Sequence, residues 1–145
     1  MSKYAQGIFV PKYPEKYVGR GSIKYRSSWE FAFMQMCDNH PSIINWASES
    51  VRIPYQNPLT GKNTFYVPDF FIVYQDKNGQ NHAEVIEVKP SKEMAFENAR
   101  SQRDKLAVIV NYAKWTAAAA WAKNNGIKFR VVSENDIFHQ GKPKK

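Results

Sequence analysis

The sequence predicts one α/β domain in which helices cover a mixed β-sheet. Its apolar patterns give the order helix, three strands, helix and strand, abbreviated αβββαβ. The length of 145 residues suits a single compact domain, and apolar residues make up 43% of the chain, enough to form a core. We therefore expect one domain over residues 1–145, with an irregular basic arm at 1–24, a core at 25–134 and a basic tail at 135–145.

The first helix is predicted over residues 28–38. Its apolar positions recur at helical spacing, at Trp29, Phe33, Met36 and Cys37. Ser27 and Glu30 have the spacing of a capping box, in which the Glu30 side chain returns to the backbone N–H of Ser27. Pro41 ends the helix, because the residue before a proline avoids the α-helical region.

Three strand-like runs follow this helix. The first, at 43–46, is expected to continue into residues 51–55, and a turn at 57–62 comes after it. The second run, at 64–74, is rich in aromatic and β-branched residues. Pro68 lies within this second run and indicates a bulge or an edge strand, because proline cannot donate a ladder hydrogen bond.

A hairpin turn at 76–79 joins the second run to the third, at 82–88, and its Asn-Gly pair is a strong hairpin signal. The rest of the chain is predicted as two helices and a last strand, at 91–112, 115–124 and 127–132. Ser91 is the expected N-cap of the first of these helices, and Gly126 is the expected stop after the second.

The charge of the chain favours a polyanionic partner. Lys and Arg number 21 against 13 Asp and Glu, which gives a net charge of +8 and a pI near 9.6. The excess lies at the two ends, since residues 1–29 carry +5, residues 30–90 carry -3 and residues 91–145 carry +6. An acidic middle suits a protein that holds a divalent cation against a phosphate, although chance variation of sign would give the same pattern.

Several classes of protein are not expected from the composition. Mean hydropathy is -0.59 and no apolar run approaches the length of a membrane span, so we expect no membrane partner. The N-terminus lacks a hydrophobic signal core, which favours a protein of the cytosol. The single cysteine, Cys37, cannot form an internal disulfide or a zinc site of the multi-cysteine kind.

Two acidic residues and a lysine fall on neighbouring predicted strands. Asp69 is expected near the middle of the second run, while Glu87 and Lys89 share one face at the end of the third. Hairpin pairing would bring Asp69 beside them. Because adjacent carboxylates repel each other, such a cluster either raises a pKa or binds a cation. A solvated ion pair on the hairpin surface is the alternative interpretation.

The chemistry of this cluster fits hydrolysis of a phosphodiester. Oxygen ligands alone suit Mg²⁺, which is usually completed by waters and by substrate phosphate oxygens. Bound metal lowers the pKa of water, and Lys89 could orient that water or offset charge on the phosphorus. Glu30 would join the cluster if the first helix packs over the sheet with this side chain inward, and a purely local capping role is its alternative.

Three strings of the sequence resemble the PD-(D/E)XK nuclease superfamily. They are YRSSWE at 25–30, YVPDF at 66–70 and IEVKP at 86–90. More narrowly, they are similar to the TnsA-like endonucleases and to the head completion nucleases of tailed phages. The resemblance extends from about residue 19 to residue 134. It implies the restriction-endonuclease-like αβββαβ core of that superfamily.

The resemblance also implies roles for individual residues. Asp69 and Glu87 would bind Mg²⁺, for which Mn²⁺ would substitute, and the main-chain carbonyl of Val88 would be a further ligand. Lys89 would be the catalytic lysine. Glu30 would be the helix carboxylate that contacts the metal directly or through water.

Some assignments stay open between two residues or two roles. Glu49 competes with Glu30 for the supporting acidic role, and an exposed charge at a strand end is the alternative for Glu49. Candidate DNA contacts, each with solvated charge as its alternative, are Lys24, Arg26, Lys92, Arg100 and Arg103. Four strand aromatics are interpreted as core residues rather than base-stacking groups: Tyr66, Phe70, Phe71 and Tyr74.

By this resemblance we expect a Mg²⁺-dependent DNA endonuclease similar to phage head completion nucleases. Two alternatives stay open. One is a structure-specific nuclease for branched DNA, in which a homodimer would place two sites across a junction, and the other is a non-catalytic DNA-binding protein of virion assembly. DNA is the expected partner, with phage head or neck proteins as further candidates. The expected location is the cytoplasm, that of the host for a phage-encoded chain, or the virion.

Overall fold

The computed structural model describes residues 6–94, 97 and 99–138, so that most of the expected basic tail lies outside the described residues. The strands are β1 Gly7–Phe9, β2 Ile23–Tyr25, β3 Ile43–Ser48, β4 Ile53–Gln56, β5 Asn63–Tyr66, β6 Phe70–Gln75, β7 Asn81–Val88 and β8 Lys128–Val132. The helices are α1 Ser28–Asn39, α2 Gln102–Asn124 and α3 Glu134–Phe138, and short 3-10 turns occupy Pro14–Lys16 and Ser91–Glu93.

A four-stranded mixed sheet with the order β3-β6-β7-β8 forms the centre of the fold. β6 is antiparallel to both of its neighbours, and β8 is parallel to β7. Because α1 precedes β3 and α2 connects β7 to β8, the core elements follow the expected αβββαβ order. The predicted fold class is therefore confirmed.

The core lies on both sides of this sheet. On the α1 side, Phe33 stacks on Phe70 with ring centroids 4.7 Å apart, and Ile86 of β7 belongs to the same buried cluster. On the other side, a smaller cluster joins Ile53 of β4 and Tyr66 of β5 to α2. Neighbouring residues of a strand point to opposite faces, so the residue after Ile86 faces α2 and the β4–β5 pair.

The β4–β5 pair corrects the expected course of two strands. Residues 51–55 do not continue β3, because Glu49 has φ of 50° and the chain turns there. β4 instead pairs with β5 in a separate two-stranded sheet. The predicted run at 64–74 is likewise two strands, since the fully buried Pro68 separates β5 from β6.

The prediction for the segment after β7 was wrong in its helix boundaries. Ser91 caps no α-helix, because its hydroxyl donates to Glu134 Oε2 at 2.8 Å and its backbone N–H donates to Oε1 at 2.9 Å. α2 begins ten residues later than expected, where Ser101 Oγ accepts the N–H of Asp104 at 3.0 Å. It then continues without a break to Asn124, so the two predicted helices are one.

The arm that precedes α1 is more regular than the sequence predicted. β1 and β2 pair antiparallel, and their residues Phe9 and Ile23 are buried in the larger core cluster. Asp38 of α1, only 3% exposed, accepts the backbone N–H groups of Lys12 and Tyr13 at 2.7 and 3.0 Å. These bonds fix the arm to the core. None of the described helices has the length and apolar character that a membrane crossing requires.

Candidate active site

Asp69 stands at the entrance to β6 rather than near the middle of a strand, as the sequence had suggested. Its Oδ2 atom accepts the backbone N–H of Val88 at 2.8 Å, across the β6–β7 pairing. Its backbone carbonyl accepts the N–H of Glu49 at 2.9 Å. Val88 therefore holds the Asp69 carboxylate at the end of β7, and Glu49 holds the Asp69 backbone.

Glu87 lies on β7, on the face that packs toward α2, and is 9% exposed. Its Oε1 atom accepts the hydroxyl of Tyr66 at 2.7 Å, and its Oε2 atom is 3.7 Å from the ammonium of Lys89. The backbone N–H of Lys89 donates to Val132 of β8 at 2.9 Å, which fixes the residue beyond the formal end of β7. The structure thus brings Asp69, Glu87 and Lys89 to one end of the sheet.

Burial disturbs the ionisation of both carboxylates. Burial and then the charge of Glu87 raise the pKa of Asp69 from 3.8 to about 8, against the opposing bond from Val88. Burial likewise raises the pKa of Glu87, and the Tyr66 hydrogen bond and the Lys89 charge oppose that rise. Two buried carboxylates without a bound cation are destabilised when both are ionised. Protonation of one of them, or binding of a cation between them, is therefore favoured.

Glu30 lies in the first turn of α1, half-buried and within electrostatic range of the pair. Its N–H donates to Ser27 Oγ at 3.1 Å, as a capping box requires. Its carboxylate, however, accepts the backbone N–H of Arg26 at 3.0 Å. The predicted hydrogen bond from the Ser27 N–H to this carboxylate was therefore wrong by one residue. Burial raises the pKa of Glu30, and the charges of Glu49 and Glu87 add to the rise.

Glu49 occupies a different environment. Its side chain is 39% exposed and forms an ion pair with the guanidinium of Arg26, which is 57% exposed. This pair lies beside the cluster, since the Glu49 N–H binds the Asp69 carbonyl. The Glu49 carboxylate is therefore already paired with a guanidinium. The Glu30 carboxylate instead accepts a backbone N–H, and among the described residues no basic side chain lies within ion-pair distance of it.

The donors available to a metal are oxygens. Among the described residues, no three Asp, Glu, His or Cys side chains converge closely enough to surround an ion by themselves. The pair Asp69 and Glu87 would supply two ligands, and the remaining positions would fall to a backbone carbonyl, to water or to a substrate. That is the coordination typical of Mg²⁺, which keeps several waters and demands few protein ligands.

The interpretation of Tyr66 as a core residue is confirmed, but the contact of its hydroxyl with Glu87 was missed by sequence reasoning. Tyr66 is only 5% exposed, and burial together with the Glu87 charge raises the pKa of its phenol well above the usual range. The hydroxyl therefore remains a proton donor to Glu87. Lys114 of α2 lies 5.7 Å above the Tyr66 ring, and its charge lowers the pKa of Glu87. The position of Tyr66, three residues before Asp69, was the sequence feature that could have indicated its place at the site.

The basic residues predicted to contact DNA do not form one track. Lys24 of β2 and Arg26 are exposed near the start of α1. Lys92 lies in the 3-10 turn and Arg100 lies two residues before α2. Both line a groove together with Glu93, Glu97 and Asp104, and its charge is therefore mixed. Arg103 is exposed in the first turn of α2.

Comparison with known proteins agrees with this geometry. The family model described as TnsA-like endonuclease N terminal matches residues 40–134, more than half of the chain. The chain belongs to the TnsA-like endonuclease family. A head completion nuclease of Enterobacteria phage T4 is 36% identical over 142 residues, which cover 90% of this chain and 92% of the phage protein. The expected family and its endonuclease class are thus confirmed for this TnsA-like endonuclease.

The first prediction concerns the stability of the metal-free TnsA-like endonuclease. Unfolded Asp69 ionises near pH 3.8 and folded Asp69 only near pH 8, so the wild-type chain loses stability as pH rises between these values. Asp69→Asn keeps an acceptor for the Val88 N–H but removes the charge. We expect its free energy of unfolding in EDTA to match wild type near pH 4 and to exceed it by several kcal/mol near pH 8.5, measured by urea denaturation.

Asp76→Asn is a control of opposite sign. The hydrogen bond from His82 and those from two turn amides lower the pKa of Asp76, so its contribution to stability is present above pH 3.8 and is lost below it. This variant should be less stable than wild type at neutral pH. If Asp69→Asn is also less stable than wild type at pH 8.5, the carboxylate pair does not repel as described.

Proposed function

We propose that this TnsA-like endonuclease hydrolyses phosphodiester bonds of DNA with the help of a divalent cation, Mg²⁺ or Mn²⁺. Asp69, Glu87 and the main-chain carbonyl of Val88 would hold the cation, and Lys89 would act beside it. The observation that carries this proposal is the convergence of two acids and one ammonium at the same end of β6 and β7. The membership of the chain in an endonuclease family supports phosphodiester hydrolysis as the reaction class.

The chemistry of the donors fits a hard cation. Both side-chain ligands are carboxylates whose pKa values are raised by burial, so binding a cation relieves a repulsion that already exists in the fold. Sulfur and imidazole ligands, which softer metals select, are not among the proposed donors. A bound divalent ion supplies Lewis acidity toward a phosphodiester and a lowered pKa for water.

The protein groups would divide the remaining work. The ammonium of Lys89, 23% exposed and 3.7 Å from Glu87 Oε2, provides a positive charge for the phosphoryl oxygens as negative charge develops on them. The Val88 N–H orients Asp69, and the Tyr66 hydroxyl orients Glu87. Positioning of these carboxylates by fixed donors is the preorganisation that phosphoryl chemistry requires.

Glu30 is the better candidate for the supporting carboxylate. Its charge acts on Asp69, and the charge of Glu87 acts on it in turn. Glu49 would serve instead as the anchor of Arg26, whose guanidinium stands exposed at the edge of the site. Arg26 would then exchange Glu49 for a DNA phosphate when the substrate binds, and the exposed Lys24, Lys92, Arg100 and Arg103 would add contacts to the backbone.

The biological role is proposed from the phage relative. The T4 protein is a head completion nuclease, and this chain aligns with nearly all of it. We place the present chain in the same role, with DNA as substrate and phage head or neck proteins as partners. Its site of action would then be the host cytoplasm or the virion. The single domain over 1–145 would carry this role, and a homodimer is a further possibility for branched substrates.

The second prediction concerns cleavage. Asp69→Asn, Glu87→Gln and Lys89→Ala should each lower the rate of plasmid nicking in Mg²⁺ by about 100-fold or more. The first two variants lose a carboxylate that would hold the cation, and the third loses the positive charge that faces the reacting phosphate. Agarose electrophoresis of supercoiled plasmid measures the rate. EDTA should abolish cleavage by the wild-type chain, and Mn²⁺ should restore it.

Lys77→Ala and Lys123→Ala are the matched controls, since Lys77 is exposed in a hairpin turn and Lys123 is exposed in the last turn of α2. Neither control should change the rate by more than about twofold. Undiminished cleavage by the three site variants would place the catalytic centre elsewhere. DNA binding without cleavage by the wild-type chain in either metal would support the non-catalytic alternative instead.

The third prediction concerns Tyr66. Tyr66→Phe removes the hydroxyl that donates to Glu87 Oε1 and leaves the ring in place. We expect cleavage at limiting Mg²⁺ to fall about 10- to 100-fold, the usual cost of losing a group that orients a metal ligand. Raising the Mg²⁺ concentration should recover part of the loss.

Tyr74→Phe is the corresponding control on the opposite face of β7, where the Tyr74 hydroxyl donates to Glu84 Oε2 at 3.0 Å. It removes the same kind of bond and should leave the dependence of cleavage on Mg²⁺ unchanged. An equal shift of the Mg²⁺ dependence in both variants would show that the Tyr66 effect is one of general stability.

A further inference from the structure

The β4–β5 hairpin is fixed at a short distance from the carboxylate pair. Its inner residues Ile53 and Tyr66 are buried against Ala118 of α2, and the Tyr66 hydroxyl binds Glu87 directly. Only three residues separate Phe65 from Asp69 along the chain. With consecutive Cα atoms 3.8 Å apart, the Cα atoms of these two residues lie within about 15 Å of each other. The hairpin therefore flanks the place where DNA would be cut.

The outward face of the hairpin presents an aromatic ring beneath a guanidinium. Phe65 points away from the buried Tyr66 and is 53% exposed. The Arg52 guanidinium carbon lies 4.2 Å from the centre of the Phe65 ring. Pro54, opposite Phe65 in the strand pairing, is exposed as well. A planar cation over a planar ring is the pairing that stacks readily on a nucleobase.

The charge of this segment is complementary to nucleic acid. Residues 50–67 contain Arg52 and Lys62 and no Asp or Glu, although Glu49 and Asp69 stand directly beyond the two ends. The hairpin is thus a basic, carboxylate-free surface attached to an acidic catalytic centre. A polyanion that places one phosphate at the centre would find the adjacent hairpin attractive.

We propose that Phe65 and Arg52 stack an unpaired base of the DNA next to the scissile phosphate, so that the enzyme prefers unpaired nucleotides over fully paired duplex. This proposal rests on the function proposed above. A base inside a duplex has both faces covered by its neighbours and offers none to Phe65. An unpaired base offers a free face, and stacking on an exposed aromatic is how single-stranded DNA is held without reading its sequence.

The test compares two DNA molecules of the same length, a fully paired duplex and one with a central bubble of mismatches that contains 2-aminopurine. Fluorescence anisotropy in EDTA gives the affinity of the full chain for each DNA, and quenching of 2-aminopurine reports stacking. The wild-type chain should bind the bubble about tenfold more tightly and quench the probe. Phe65→Ala should lose the preference and the quenching, while Phe65→Trp should keep both.

Arg52→Ala should reduce the preference in part. Tyr13→Ala is the matched control, because Tyr13 is another exposed aromatic with a cation over its ring, Lys12 at 5.6 Å, but belongs to the arm. It should bind both DNA molecules as wild type does. Thermal melting checks that each variant is folded, and the quenching measured with the wild-type chain tests stacking without any substitution.

Other outcomes overturn the proposal. Equal binding of duplex and bubble by the wild-type chain, or a preference that survives Phe65→Ala, would show that the hairpin does not stack a base. An equal loss on both DNA molecules in Phe65→Ala would place Phe65 in a duplex groove. In each of these cases, cleavage of the same DNA in Mg²⁺ would still support the proposed nuclease function. If neither DNA is bound or cleaved, that function itself is contradicted.

Discussion

Burial of the Asp69 and Glu87 carboxylates beside each other is the constraint on which the site depends. The two groups are brought together by the β6–β7 pairing and withdrawn from water, so burial disfavours the charge of each, and the Glu87 charge further disfavours that of Asp69. Folding tolerates the pair because the Val88 N–H, the Tyr66 hydroxyl and the Lys89 ammonium partly offset it. Burial of the two carboxylates lowers the stability of the fold, and the proposed cation would restore it.

The elements around the two carboxylates each position one part of the site. The sheet sets the spacing of the two acids, α1 brings Glu30 to one side, and the β4–β5 hairpin packs over the other side through Tyr66. The same hairpin turns Phe65 and Arg52 outward. One strand therefore orients a candidate metal ligand with one residue and presents a candidate DNA contact with its neighbour, which would couple substrate binding to the geometry of the centre.

The αβββαβ order and the elements of the site were predictable from sequence, because they depend on local periodicity, turn residues and short motifs. What was not predictable depends on distant partners. Ser91 looked like a helix cap, but Glu134, 43 positions away, binds both its N–H and its hydroxyl. Tyr66 is a core residue, as the sequence predicted, but its hydroxyl also donates to Glu87, a partner 21 positions away. Residues 51–55 do not belong to the main sheet, because the chain turns at Glu49. The positive φ at this position is not predictable from a glutamate in the sequence.

The most direct test of the account is to locate the ion itself. Crystals soaked in Mn²⁺ would be measured near the manganese absorption edge, where anomalous scattering marks the metal independently of the refined coordinates. We expect an anomalous peak between the carboxylates of Asp69 and Glu87, beside the Val88 carbonyl, and its loss in Asp69→Asn. A strong peak at another place in the chain, with none between these two carboxylates, would contradict it.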